Sequence, residues 1–137
     1  VHGDYRLDNA IVDDDDRIAA VLDWEMATLG DPLADLGLLC VYWSELETLG
    51  GAALTSAVDS AAGFPGQDEL VERYAARSGL DVTALPWYVA FGYFKLAVIA
   101  EGIYYRYLSG QTVGSGFEGM GALVPALVQR GRQTLAG

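Results

Sequence analysis

His2-Gly3-Asp4-Tyr5-Arg6-Leu7-Asp8-Asn9, answered by Asp23-Trp24-Glu25 at the end of an apolar run, is the stretch that decides how this chain folds. Directly after Asn9, the residues Ala10-Ile11-Val12 have the length and character of a short strand. Asp13 to Asp16, with Arg17, supply turn chemistry, and Ile18 to Leu22 form a second strand whose apolar side chains predict burial. A hairpin of this kind brings Asn9 and Asp23 back to the same end. Two oxygen-bearing side chains far apart in sequence thereby become neighbours, on the loop that also carries Asp4. The acidic run Asp13 to Asp16 lacks the spaced ligands, the glycine and the closing glutamate of an EF-hand loop, so it reads as a solvated hairpin tip.

Beyond the hairpin the chain turns helical. Asp31-Pro32 pairs a favoured N-cap residue with proline at the first helical position, and the helix from Pro32 to about Leu46 has Leu33, Leu36, Leu39, Cys40 and Trp43 on its apolar side. Residues 50–66, rich in Gly, Ala and Ser, read as a loop or a broken helix. Gln67 to Ser78 is amphipathic, with Leu70, Val71 and Tyr74 inward and Gly79 as the stop. The longest helix starts at about Thr83 or Ala84 and runs to Ser109. Pro86 falls in its tolerated first turn, Gly92 and Gly102 point to close helix packing, and its aromatic residues fall mostly at core spacing. A glycine-rich break over residues 110–116 precedes a last helix from about Phe117 to Leu135, kinked or split at Pro125. The predicted fold is α+β but mainly helical: one domain in which a short β-hairpin carries the polar loop on a helical body.

The composition excludes several classes. A formal net charge of −11 argues against a nucleic-acid partner, which needs a basic face. The apolar stretch from Leu85 to Leu108 is interrupted by Lys95, Glu101 and Arg106, so a buried helix is expected rather than a membrane span. The single Cys40 cannot form an internal disulfide and reads as a buried thiol. With no segment resembling a signal peptide, the expected compartment is cytoplasmic.

An aspartate, an asparagine after a fixed spacer and a second aspartate ending an apolar strand form the H-x-D-x-x-x-x-N plus D-F-G-like arrangement used in phosphoryl transfer. That chemistry needs a carboxylate at the acceptor hydroxyl, metal ions on the phosphates and cations for the developing charge. Asp4 suits the first role. Asn9 and Asp23 suit the second, as hard oxygen ligands for Mg²⁺, with Glu25 as a further candidate for direct or indirect metal contact. Arg6, two residues after Asp4, is a candidate catalytic and phosphate-binding cation. A metal-dependent phosphohydrolase would need further acidic or histidine ligands, and the chain has one histidine.

The run His2 to Leu39, with HGDYRLDN followed by LDWEMATLGDPLADLG, resembles the C-terminal lobe of the aminoglycoside phosphotransferase and choline kinase superfamily. Within it, the subgroup related to the kinase-like domain fused to some acyl-CoA dehydrogenases is the most similar. The resemblance implies a protein-kinase-like C-lobe, with Asp4 as catalytic base, Asn9 and Asp23 as metal ligands, and His2 as a structural histidine under the metal-binding loop. It also implies that Asp35 is a buried aspartate bonded to the backbone of the catalytic loop. Arg6 departs from many antibiotic-modifying members, which counts against an antibiotic acceptor, and the subgroup places a hydroxyacyl-type or other metabolite acceptor at least level with an aminoglycoside; Glu25 replaces the glycine of D-F-G.

The implied function is transfer of phosphate from ATP, with Mg²⁺, to the hydroxyl of a small molecule. Its alternative is a catalytically inactive lobe acting as a binding or scaffold module. The motif lies at the very start of the sequence, and no glycine-rich phosphate loop or strand lysine precedes it. The expectation is therefore that residues 1–137 are the C-terminal lobe of a kinase whose nucleotide-binding lobe is absent, so that this piece alone binds Mg-ATP weakly and is inactive. The face beneath that lobe would be exposed and would favour a homodimer.

Overall fold

The computed structural model describes residues 1–44 and 63–137. A one-turn 3₁₀ helix, Leu7–Asn9, leads into strand β1 (Ala10–Val12), which pairs antiparallel with β2 (Ile18–Val21). A second 3₁₀ turn, Trp24–Met26, follows, and then four helices: α1 (Leu33–Ser44), α2 (Gln67–Ser78), α3 (Leu85–Leu108) and α4 (Met120–Ala136). The expected loop at residues 50–66 and the C-terminal end of the first helix fall largely outside the described residues.

The hairpin register pairs Ala10 with Val21, Ile11 with Ala20 and Val12 with Ile18, so one extra residue on β2 makes a bulge. Asp13 closes the tip. Its Oδ1 accepts from the N–H groups of Asp15 (3.0 Å) and Arg17 (2.9 Å), while Asp16 takes the left-handed conformation at φ 59°. The predicted burial of the second strand is not found. Ile18 is 56% exposed, and Ile11, Val12 and Leu22 are also open to solvent. A two-stranded ribbon has two faces, and among the described elements no helix packs extensively against either of them.

The helical body is organised by α3, which packs against α1 on one side and α4 on the other. Leu38 and Val41 from α1, Leu96 and Ala100 from α3, and Leu123 and Leu127 from α4 form its buried centre. A smaller cluster of Leu33, Leu36, Cys40 and Leu85 lies under Val71 and Tyr74 of α2. Asp31 Oδ1 accepts from Leu33 N–H at 2.9 Å, the capping bond that its place before Pro32 predicts. At the other end of α2, Gly79 adopts φ 70° and its N–H donates to the Ala75 carbonyl, which stops the helix.

Two glycines set the α1–α3 distance. A Cβ on Gly37 would lie 2.5 Å from the Tyr88 carbonyl carbon, and one on Gly92 would lie 3.2 Å from Leu38 Cα. Gly102, expected to share this role, meets only its own helix's Arg106. Helix α4 runs unbroken through Pro125 rather than splitting there. The aromatic residues of α3 divide differently from the prediction. Tyr93 is buried, but Trp87, Phe91, Phe94 and Tyr105 are exposed, because α3 is apolar around most of its circumference and α1 and α4 cover only part of it. Among the described residues no helix is long and apolar enough to cross a membrane.

Candidate active site

The loop at residues 2–9 is built backbone first. Gly3 has φ +87°, and a Cβ there would sit 2.6 Å from the Met26 carbonyl oxygen, so this turn admits only glycine. The Asp35 carboxylate, in the first turn of α1, accepts the N–H of His2 at Oδ2 (2.6 Å) and the N–H of Gly3 at Oδ1 (2.8 Å). Both are charge-assisted bonds to backbone groups that have no strand partner.

The His2 ring, 4% exposed, lies under the loop and against Trp24, with ring centroids 4.7 Å apart. Its Nδ1 accepts from Asp4 N–H at 3.2 Å, which leaves the proton on Nε2 to donate to the Leu22 carbonyl at 2.7 Å. Both ring nitrogens are thus committed to backbone partners on the two segments that carry Asp4 and Asp23. This arrangement suits a structural role and not proton transfer.

Asp4 is half-buried, and its two carboxylate oxygens face different partners. Oδ1 accepts from the Tyr42 hydroxyl of α1 at 2.9 Å, whereas Oδ2 lies 3.4 Å from Asn9 Nδ2 and 3.9 Å from Arg6 Nε. Burial first, and then the Asp4 charge, push the Tyr42 hydroxyl well above its ordinary range, so it stays protonated and remains a donor. The Arg6 guanidinium lies between the carboxylates of Asp4 and Asp8 and 5.2 Å from the centroid of the Tyr42 ring.

Asn9 is buried and donates through Nδ2 to the Asp4 carbonyl at 2.8 Å. With its amide nitrogen committed inward, Oδ1 is the atom that could take a cation. Asn9 O accepts from Leu22 N–H at 2.8 Å, extending the hairpin pairing to the residue before Asp23. Asp23 itself is left-handed at φ 64°, a conformation Asp tolerates better than most residues, and there the chain leaves the hairpin for the Trp24–Met26 turn. Glu25 lies on that turn and is exposed.

Among the described residues no three His, Cys, Asp or Glu side chains group around a single point. Mg²⁺ keeps most of its waters and binds through one or two protein oxygens plus substrate phosphates, and an asparagine and an aspartate at one end of a hairpin are such a donor set.

Two residues at the loop have no counterpart in the sequence motif. Tyr42 bonds Asp4 from α1, seven positions beyond Asp35, a spacing that puts both on one helical face. Lys95, the chain's only lysine, reaches from α3 and donates to the Gly3 carbonyl. Its signal was a lone cation in the apolar run Leu85 to Ala100, whose place within a long helix gave no hint that it turns toward the loop.

A cleft of about 790 Å³ opens beside the loop. Tyr5 and Leu7, Ile18 of the hairpin, Leu39 and Trp43 of α1, and Arg73 and Arg77 of α2 are among its walls. A smaller apolar cleft of about 290 Å³ between α3 and α4 is lined by no residue of the loop.

Comparison with known proteins gives concordant results. Residues 1–88 match the family described as the phosphotransferase enzyme family. Acyl-CoA dehydrogenase family member 11 of Rattus norvegicus is 41% identical over 113 residues, which cover 80% of this chain and 14% of that protein. The Gallus gallus protein of the same name is 34% identical over 137 residues, covering 96% of this chain and 18% of its own length. A crystal structure of a candidate aminoglycoside phosphotransferase from Ralstonia eutropha JMP134 superposes with a TM-score of 0.82 at 31% identity, over 99% of this chain and 42% of that one.

Proposed function

The chain belongs to the phosphotransferase enzyme family, and from that premise we propose that it carries the catalytic loop of an ATP- and Mg²⁺-dependent kinase acting on the hydroxyl of a small molecule. The observation that carries this reading is the environment of Asp4. Its Oδ1 is held by Tyr42, and its Oδ2 stands beside Asn9 and Arg6. A carboxylate fixed in this way would orient an acceptor hydroxyl and take its proton as the oxygen bonds to the γ-phosphorus and the bond to the bridging oxygen breaks, releasing ADP.

Asn9 Oδ1 and the Asp23 carboxylate are the groups that would hold Mg²⁺, with Glu25 nearby in sequence. When bound, the metal neutralises charge on the transferred phosphate. Arg6, at the mouth of the loop, offers a cation to the same phosphate. His2 and Asp35 fix the backbone on which these groups stand.

The chain spans 14% and 18% of the two curated relatives and 42% of the solved structure. The groups that grip the ATP phosphates in such enzymes are proposed to lie in the part of the fold this chain does not contain. Residues 1–137 alone then bind Mg-ATP only weakly, which titration calorimetry checks; tight binding would contradict it.

For the acceptor, a hydroxylated acyl thioester is proposed alongside an aminoglycoside, since the relatives include proteins named acyl-CoA dehydrogenase as well as a candidate aminoglycoside phosphotransferase. The cleft beside Tyr5 and Leu7 is apolar along α1 and α2 and bordered by Arg73 and Arg77, which suits an acceptor with an apolar body and an anionic end. A panel of 3-hydroxybutyryl-CoA, choline and kanamycin, offered with Mg-ATP to the full-length protein carrying this segment and followed by phosphorus NMR, tests the reading. Phosphate is expected on the thioester hydroxyl. Transfer to none of the three, with no ATP hydrolysis above background, would refute it and leave a binding module.

A further inference from the structure

The peptide unit that joins Gly3 to Asp4 is held at both edges. On one edge, Asp4 N–H donates to His2 Nδ1. On the other, the Gly3 carbonyl accepts from the Lys95 ammonium, 92 residues away on α3. The chain's one histidine and its one lysine therefore meet on a single peptide, the one that sets the direction of the Asp4 side chain.

This meeting depends on the packing of the helices. Asp35 of α1 holds the preceding amides, those of His2 and Gly3. Two residues further along α1, Gly37 allows the backbone of α3 to approach at Tyr88, and Gly92 of α3 lets Leu38 approach in return. Lys95 stands three residues after Gly92 and is half-buried, on the border between the face of α3 that meets α1 and the face open to solvent. One rigid crossing thus carries both the carboxylate that takes the loop's N–H groups and the cation that takes its carbonyl.

We propose that Lys95 is a positioning residue for Asp4: it clamps the Gly3 carbonyl so that the Gly3–Asp4 peptide, and with it the carboxylate, is fixed for attack by the acceptor hydroxyl. A neutral donor could satisfy that carbonyl. An ammonium does so with a charge-assisted bond, which holds the peptide more firmly. The proposal rests on the phosphotransferase reading. It adds to that reading a residue from outside the loop, since the chemistry at Asp4 is otherwise supplied by residues 2–9, Asp23, Asp35 and Tyr42.

The test combines a spectroscopic readout with kinetics on the full-length protein. Labelling glycine carbonyls with carbon-13 and aspartate amides with nitrogen-15 leaves two Gly-Asp peptides visible within this segment, Gly3–Asp4 and Gly30–Asp31, the second an internal control. Lys95→Met is expected to move the Gly3–Asp4 signal and leave Gly30–Asp31 in place. With Mg-ATP and 3-hydroxybutyryl-CoA, choline or kanamycin, it is expected to lower kcat on the order of tenfold to a hundredfold with both KM values unchanged. Lys95→Arg, which keeps charge and donor, should restore most of kcat. Lys95→Gln takes the same measurements if the methionine variant does not fold; as a shorter, neutral donor it is expected to move the Gly3–Asp4 signal and lower kcat, by less than the methionine variant.

An unmoved Gly3–Asp4 signal overturns the contact. A moved signal with unchanged kcat, or a raised KM at constant kcat, overturns the positioning role while the phosphotransferase reading stands. A wild-type protein inert toward all three acceptors removes that reading, and the positioning role falls with it.

Discussion

Asp35 spends both carboxylate oxygens on backbone N–H groups, those of His2 and Gly3. Replacing it with alanine strands two donors in a half-buried turn, and each stranded donor costs about 1–3 kcal/mol. Asp35→Ala is expected to lower stability by about 2–4 kcal/mol and Asp35→Asn by roughly half as much, because the amide keeps one acceptor. Urea unfolding of the two variants checks the order. Equal losses would mean that only one of the two bonds contributes.

The visibility of such residues in the sequence followed their distance from the motif. His2, Asp4 and Asn9 sit on one continuous loop whose spacing is diagnostic, and Asp23 closes the hairpin that the alternation of apolar and turn residues betrays. Tyr42 and Lys95 bond the same loop across 38 and 92 residues. A tyrosine and a lysine in apolar helices look like any core residue and any snorkelling cation, so only the packing of α1 on α3 reveals where their polar ends go.

At the scale of elements, the α1–α3 crossing depends on glycine. Gly37→Ala would force a Cβ into the Tyr88 backbone, which cannot swing aside as a flexible side chain can. A loss of about 2–3 kcal/mol is expected, in line with overpacking of a tight contact. Gly102→Ala meets only the far end of Arg106 and replaces a poor helix former, so it should be neutral or stabilising by up to about 1 kcal/mol. Thermal unfolding of the two variants separates the cases, and equal destabilisation would show that the crossing is not the sensitive point.

Helix positions were legible to within a few residues because their caps are strong: Asp31-Pro32 opens α1, Pro86 falls in the first turn of α3 and Gly79 ends α2. Burial was less legible. The strand Ile18–Val21 and the aromatic face of α3 read as core because apolarity was all the sequence offered. Burial depends on which neighbour covers a face, and neither the hairpin faces nor the side of α3 bearing Phe94 is covered among the described elements.

For the whole molecule, that uncovered surface has a consequence. Ile11, Val12, Ile18, Leu22 and Trp24 are exposed together along the hairpin and the turn after it, on a chain that is otherwise strongly acidic. We expect residues 1–137 in isolation to self-associate through this surface. Light scattering should report a mass above the monomer, reduced by Ile18→Lys; a clean monomer at high concentration would contradict this.

Burial in the core also contributes to stability at alkaline pH. Burial, with the Asp68 charge adding to it, raises the Cys40 thiol from its ordinary 9.0 to about 12. The folded state therefore keeps a proton that the unfolded chain loses. This contribution is complete below pH 9 and is lost as pH rises from 9 toward 12, by up to about 1.4 kcal/mol per unit. Urea midpoints measured across that window should fall more steeply in the wild type than in Cys40→Ala, and parallel curves would exclude the thiol as the cause.

Asp4 is the proposed base of the phosphoryl transfer, and the roles of Tyr42, Lys95, His2 and Asp35 all depend on it. Asp4→Asn preserves the shape of the side chain and its bond to Tyr42 while removing the basic oxygen. In the full-length protein with Mg-ATP and the accepted hydroxyl substrate, kcat for Asp4→Asn is predicted to fall by about 10²–10⁴, with the affinity for ATP unchanged. A variant that transfers phosphate at the wild-type rate would contradict Asp4 as the base.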